Sequence, residues 1–210
     1  EEMARAEAPQ HLGVIGLGMA GPTIIAHGTE QQKSSRLAPI LSADEIWCQG
    51  FSEPDAGSDL AAVRTSAQLK GSNFVVDGQK VWSSYAHIAD WCILITRSDP
   101  ASSGHAGLTY LIVDMKAPGV EVRPLRQITG EAEFNEVFFD GVEVPIENVI
   151  GDVGGGWQGA MTTLLHERGT LGFALTAALE VTVGKLIELA RDRGATSVQR
   201  DAIAREWIEL

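Results

Sequence analysis

The chain has 210 residues, 44% hydrophobic and 21% charged, the composition of a globular protein with enough apolar side chains for its own core. Sixteen basic against 28 acidic side chains leave a net charge of −12, which argues against a surface that tracks nucleic-acid phosphates. No apolar run reaches the length of a membrane span and no signal-peptide pattern opens the chain, so a cytoplasmic protein without a membrane span is expected.

From residue 1 to about 44 the pattern is helical, with apolar positions at Ile24, Ile25, Leu37, Ile40 and Leu41. Thr29-Glu30-Gln31-Gln32 reads as a helix start, Thr29 as N-cap and Gln32 in the capping-box place. Gly16-Leu17-Gly18-Met19-Ala20-Gly21 fits the GxGxxG dinucleotide fingerprint. That fingerprint requires a strand before it and a helix opening on its third glycine. Here the preceding Pro9 to Gly13 makes a poor strand, Pro22 follows at once, and no βαβ unit comes after. A glycine-bearing helix is the favoured reading; an NAD(P)-binding dehydrogenase using Gly16, Gly18 and Gly21 is the lesser alternative.

From about 45 to 150 the texture is β. Trp47, Gln49 and Phe51 share a strand face by period two. Phe74 to Trp82 reads as two strands around an Asp77-Gly78 turn, and further strands are expected at Trp91 to Thr96, Leu108 to Asp114 and Asn135 to Phe139. Six or so short strands suggest a β-barrel or sandwich. Cys48 and Cys92 lie in apolar stretches without CxxC spacing and read as reduced core cysteines; the five histidines show no ligand spacing, so no metal site is expected.

From Trp157 a helical period runs for some nine turns through Met161, Leu164, Leu165, Leu171, Phe173, Leu175, Leu179, Val183, Leu186, Ile187 and Ala190. Gly169, Gly172 and Gly184 interrupt it and read as places where another helix comes close. The chain opens and closes inside helix-like stretches without capping signals, as a piece of a longer protein would. The expected class is α+β, in three parts: 1–44 helical, 45–152 a β domain, 153–210 the start of a helical bundle.

The most specific stretch is Gly50-Phe51-Ser52-Glu53-Pro54-Asp55-Ala56-Gly57-Ser58-Asp59-Leu60-Ala61-Ala62. Small residues, hydroxyls and a glycine after a short strand let main-chain N–H groups approach an electron-rich ligand. This stretch resembles the first signature of the acyl-CoA dehydrogenase family of flavoenzymes. Gly78-Gln79-Lys80-Val81-Trp82-Ser83-Ser84-Tyr85 is similar to a second segment of that family, with Ser84 where a Thr is frequent. Phe138 to Pro145 and Gly151 to Trp157 also match; they read as the last β hairpin and a linker. The three glycines Gly154 to Gly156 read as a hinge-like loop rather than a phosphate cradle.

The resemblance implies bound FAD. It places Gln49, Phe51 and Ser52 against the flavin ring, Gly57 and Ser58 near the pyrophosphate, and Ser58 also near the substrate's pantetheine arm. It stacks Trp82 on the flavin and hydrogen-bonds Ser84 to the N5 edge. It also implies oxidation of an acyl-CoA thioester to the trans-2-enoyl-CoA, electron transfer to an electron-transfer flavoprotein, and assembly as a dimer of dimers. In the isovaleryl- and long-chain-type branches the catalytic base is a helical Glu directly before an Arg, the position of Glu167, with Arg168 beside the substrate. A helical Glu next to an Arg also reads as a solvated or ion-paired residue. A non-catalytic partner subunit of the same fold and a flavin oxidase are the further alternatives.

Overall fold

The computed structural model describes residues 2–6, 8 and 11–209, and side chains other than those of residues 170, 171 and 174. Leu171, counted in the apolar series of the long helix, therefore lies outside the described side chains. In chain order the elements are α1 (Glu2–Arg5), a π-helical turn (Gly16–Ala20), α2 (Gly21–His27), α3 (Glu30–Ser42), β1 (Trp47–Gly50), β2 (Ser66–Lys70), β3 (Asn73–Ser84), β4 (Trp91–Arg97), β5 (Leu108–Asp114), β6 (Val120–Leu125), β7 (Phe134–Pro145), α4 (Gly156–Arg193) and α5 (Ser197–Glu209). Two compact units result, Leu12–His166 and the remainder, residues 1–11 with Glu167–Leu210.

In the larger unit seven strands form one sheet in the order β1-β4-β2-β3-β7-β6, with β5 on β4. β5 covers one edge of β4 along its whole length, while β1 and β2 share the other: β1 pairs in parallel along Trp91–Leu94 and β2 touches only at Arg97. The sheet curls until its two halves meet in one core, where Cys48, Cys92, Leu94, Leu111 and Val113 face Phe74, Val76, Val137, Phe139, Val142 and Val144. The opposite faces of β1, β4 and β5 present Trp47, Ile93, Ile95, Leu108, Tyr110 and Ile112, with Phe51 just past β1, to the helical residues Ile15, Met19, Ala20, Ile24, Ile40 and Ala160. Strands buried on both faces read as continuous apolar runs, as Cys92-Ile93-Leu94-Ile95 does. The π-helical turn, α2 and α3 thus pack on the sheet within this unit.

Polar ties fix that packing. The expected capping box is present: Gln32 N donates to Thr29 Oγ1 at 3.2 Å and Thr29 N to Gln32 Oε1 at 3.0 Å. The Gln32 amide reaches on to the carbonyls of Glu147 and Val149, both at 2.8 Å. Thr23 and Tyr110 meet the Thr163 hydroxyl of α4 at 2.7 and 2.9 Å. Cys48 and Cys92 are free thiols, opposite each other in β1 and β4. The Cys92 contact and burial together push the Cys48 thiol up, so it stays protonated.

Three expectations need correction. Asp77-Gly78 is not a turn: β3 is one twelve-residue strand, and the tight turn before it is at Gly71, with φ +64°. Phe138 to Pro145 is likewise no hairpin but the body of the single strand β7. Registers explain both. Asp140 and Gly141 together oppose Asp77, and Val81 and Trp82 together oppose Glu136, so two β-bulges on opposite strands bend the β3/β7 ribbon. Third, the helix glycines do not mark a close neighbour among the described residues, because a Cβ at Gly169, Gly172 or Gly184 would meet nothing within 4 Å. The glycines that do mark close approach are earlier: a Cβ at Gly156 would lie 2.7 Å from Tyr110 N, and one at Gly159 2.5 Å from the Tyr110 ring.

In the smaller unit the later turns of α4 and helix α5 form an apolar groove of about 1000 Å³ lined by Ile187, Ile203, Trp207 and Ile208 among others. Phe173, Leu175 and Leu179 of α4 are exposed. No helix among the described residues is long and apolar enough to cross a membrane, and none of their His, Cys, Asp and Glu side chains form a group that could hold a metal ion.

Candidate functional site

The chain leaves the shared edge of β4 at Gly50 and returns to it at Ser66, so the signature stretch is an excursion between two strands that share one edge. Phe51, Ala56, Leu60 and Val63 anchor it in the helix-side core, while residues 54–55 and 57–59 remain exposed. Glu53 and Ala56 exchange main-chain hydrogen bonds of 2.8 and 3.0 Å, a tight turn that brings Gly57 and Ser58 out beside Glu53.

Glu53 closes the excursion. Its carboxylate accepts from Arg64 N at 2.7 Å and Thr65 N at 2.9 Å, and its Oε1 lies 2.8 Å from Lys80 Nζ. Lys80 is fully buried in the middle of β3 and also donates to the Phe51 carbonyl at 2.9 Å. Burial would push the Glu53 carboxyl up, but the Lys80 ammonium and the N–H donors outweigh it and hold the group below its ordinary value. Burial drives Lys80 down to about 8 against the pull of Glu53.

Val81 N donates to the Ser52 carbonyl at 2.9 Å, so this amide leaves the β7 ladder where β3 bulges. The bulge turns Trp82 to φ +62°, an uncommon conformation for a bulky residue, and leaves it 61% exposed, edge-on to Phe134. Ser83 is buried, and half-buried Ser84 lies on the other side of the strand with Trp82. Tyr85, at φ +57°, closes the segment by donating to the Glu133 carbonyl. Buried Asn135 holds this end: its amide donates to the carbonyls of Ser83 and Glu133, each at 2.9 Å.

The sequence-predicted residues fall into two groups. Ser52 is tied next to Trp82 by the Val81–Ser52 bond, Gly57 and Ser58 follow the Glu53–Ala56 turn in the same excursion, and Ser84 stands two residues beyond Trp82 on β3. Gln49 is half-buried at the end of β1. Phe51 is 5% exposed with its ring edge-on to Tyr110, so a cofactor role for Phe51 falls to its main chain. Glu167 and Arg168 lie on α4 in the smaller unit; Glu167 is half-buried and Arg168 exposed. Burial pushes the Glu167 carboxyl above its ordinary value, and the neighbouring Arg168 charge offsets part of this.

The GxGxxG stretch is helical rather than a strand-to-helix loop. Gly16 lies where a Cβ would meet Ile40 and Trp47 at 3.4 and 3.5 Å, and a Cβ at Gly21 would come within 3.0 Å of the Gly16 carbonyl. These glycines serve helix packing, and the dinucleotide reading lacks its required geometry. The Gly154 to Gly156 run is also occupied: Gly154 N donates to Thr109 Oγ1 at 2.8 Å and Gly155 N to the Asp152 carbonyl at 2.9 Å.

Comparison with known proteins decides the family. The family model described as acyl-CoA dehydrogenase, middle domain, matches residues 48–142. Acyl-CoA dehydrogenase IpdE1 of Mycobacterium tuberculosis is 48% identical over all of this chain and 55% of its own length. The chain belongs to the acyl-CoA dehydrogenase family. Among solved structures, the Tcur3481-Tcur3483 steroid ACAD superposes with a TM-score of 0.87 at 35% identity, over 97% of this chain and 53% of that one. The ChsE4-ChsE5 complex from Mycobacterium tuberculosis superposes with a TM-score of 0.71 at 36% identity, over 79% and 42%. The chain therefore spans about half the length of the acyl-CoA dehydrogenases it matches.

The donor set fits the flavin that this family implies. The Ser52, Ser58 and Ser84 hydroxyls make no hydrogen bond to another described residue, and the exposed Trp82, at φ +62°, directly follows the Val81 amide that holds the Ser52 carbonyl. Sequence reasoning missed the Lys80–Glu53 pair and Asn135. The signal for Lys80 was its parity: Phe74 and Val76 face inward, and the alternation carries that face to Lys80.

Proposed function

We propose that the protein carrying this chain is an FAD-dependent acyl-CoA dehydrogenase that converts an acyl-CoA thioester to its trans-2-enoyl-CoA and passes the electrons to an electron-transfer flavoprotein. The observation that supports this reading is the Val81–Ser52 hydrogen bond, which ties the signature excursion to β3 directly before the exposed Trp82, in a chain of this family. Gln49, the main chain of Phe51, Ser52, Gly57, Ser58, Trp82 and Ser84 would hold FAD. When bound, FAD supplies the acceptor for the β-hydride. Hydroxyl and main-chain donors fixed in place would stabilise the negative charge that a reduced flavin gathers.

Glu167 takes the α-proton in this reading, and Arg168 sits beside the substrate. A half-buried carboxylate with a raised pKa is a stronger base than a solvated one. The likeness to the Tcur3481-Tcur3483 steroid ACAD supports a bulky, steroid-derived acyl group and a place in lipid β-oxidation. The likeness to the ChsE4-ChsE5 complex supports assembly with a second, related chain as well as with copies of itself. A cytoplasmic setting completes the proposal.

Glu167→Gln tests the base. Turnover should fall by about 10²–10⁴-fold while thioester binding and flavin content persist. The acid limb of kcat/KM in the parent protein should lie above the ordinary carboxylate range, following the raised pKa. Unchanged turnover would remove Glu167 from the chemistry. Parent protein that binds flavin but never turns over would favour a non-catalytic partner subunit.

A further inference from the structure

Three hydrogen bonds from β3 hold Ser52 and the residues on either side of it. The Lys80 ammonium holds the residue before it, through the Phe51 carbonyl at 2.9 Å, and the residue after it, through the Glu53 carboxylate at 2.8 Å. The carbonyl of Ser52 itself accepts from Val81 N at 2.9 Å. The next residue is Trp82, which the bulge turns outward. The fourth and fifth ties run from Glu53 to the amides of Arg64 and Thr65, closing the far end of the excursion that carries Gly57 and Ser58.

A buried ion pair is an expensive way to hold a strand. Apolar side chains of similar volume keep a fold as stable or more so, because two charges need not be desolvated. What such side chains cannot do is fix directions, since dispersion contacts do not orient a carbonyl or an amide. Here the pair orients one carbonyl and two amides in a segment with little regular structure. The Lys80 side chain runs past Gly50, where a Cβ would fall 3.5 Å from Lys80 Cγ and 2.7 Å from Leu94 Cδ1. The exit of β1 is thus kept bare beside the lysine stem.

We infer that Lys80, acting with Glu53, is a positioning residue for the flavin face: it sets the Ser52 donor and the Trp82 indole in fixed relation. The inference rests on the flavin reading above and adds to it a residue that need not touch the cofactor. Lys80 works from beneath the excursion, and its two bonds on either side of Ser52 remove the freedom of that residue to rotate away. Without the ammonium, Val81 N alone ties Ser52 to β3.

The test compares Lys80→Met, Glu53→Gln and the apolar double variant Lys80→Met/Glu53→Leu with the parent protein. Three quantities are read: the thermal midpoint, amide exchange at Arg64, Thr65 and Val81, and the FAD dissociation constant. The double variant should keep a midpoint near the parent's, exchange its Val81 amide faster, and bind FAD about tenfold to a hundredfold more weakly. That range is the worth of one or two charge-assisted hydrogen bonds. Parent-like FAD affinity with protected Val81 in a stable double variant would overturn the inference and leave the pair a purely structural element. Where the double variant does not fold, Glu53→Gln decides, since it preserves volume and surrenders the charge: unchanged FAD affinity there overturns the inference equally. Failure of the parent protein to take up FAD is seen before any variant is compared; it would refute the flavin reading itself and this inference with it.

Discussion

Lys80 and Glu53 show how a residue can be structural in position and functional in consequence. Removing one partner leaves a buried charge uncompensated, so Lys80→Met alone should cost about 3–5 kcal/mol, read as a lower midpoint of denaturant unfolding. The pH dependence has a definite sign. The Glu53 carboxyl titrates below its ordinary 4.5 in the folded chain, so its stabilisation is fully present above that pH. It is lost as pH falls through the folded value, because the unfolded carboxyl takes up its proton first. Glu53→Gln should therefore flatten the loss of stability on acidification below about 4.5; an acid limb as steep as the parent's would contradict this. Lys80 acts on the other side: folded at about 8 against 10.5 unfolded, its charging cost is present in full below pH 8 and is relieved as pH rises towards 10.5. The candidate site can be read at this scale where the information is local. Ser52, Gly57, Ser58, Trp82 and Ser84 stand in two short motifs, whereas Glu53 reads as a turn residue until its partner, 27 positions on, is known.

Secondary-structure elements divide in the same way. The capping box of α3 and the long period of α4 could be read from sequence because their determinants lie within a few residues. The β3/β7 ribbon could not. Buried positions run 74, 76 and 80 but then 83, and across the ribbon 135, 137 and 139 but then 142 and 144. Each bulge reverses the alternation of the strand that carries it, at 81–82 in β3 and 140–141 in β7, whereas Asp77-Gly78 lies within unbroken parity and reads as a turn by its residue types alone. The glycines of α4 divide by a property that only tertiary structure reveals. Gly159 admits the Tyr110 ring, so Gly159→Ala should destabilise by about 1–3 kcal/mol through overpacking. Gly172 faces open space in a helix interior, so Gly172→Ala should stabilise by about 1 kcal/mol. Thermal unfolding of the two variants checks both signs; a stabilised Gly159→Ala would contradict the packing described here.

At the scale of the molecule, one curled sheet carries the residues proposed to hold flavin, while Glu167 and Arg168 belong to a separate helical unit. In the proposed reading β1, β3 and the excursion between β1 and β2 supply the donors, and α4 supplies the base. Glu167, proposed as the base, is the least readable residue, since Glu167-Arg168 looks like any helical ion pair when its surroundings are unknown. The chain also spans only about half of the relatives it matches, so the whole protein's activity is the point on which the account stands or falls. The most direct measurement is the visible spectrum of the purified protein with FAD, followed by anaerobic addition of acyl-CoA thioesters from straight-chain to steroid-derived. The account predicts a flavin band that one class of thioester bleaches, with loss of bleaching in Glu167→Gln. A protein that takes up no flavin, or a flavin band that no thioester bleaches, would contradict it.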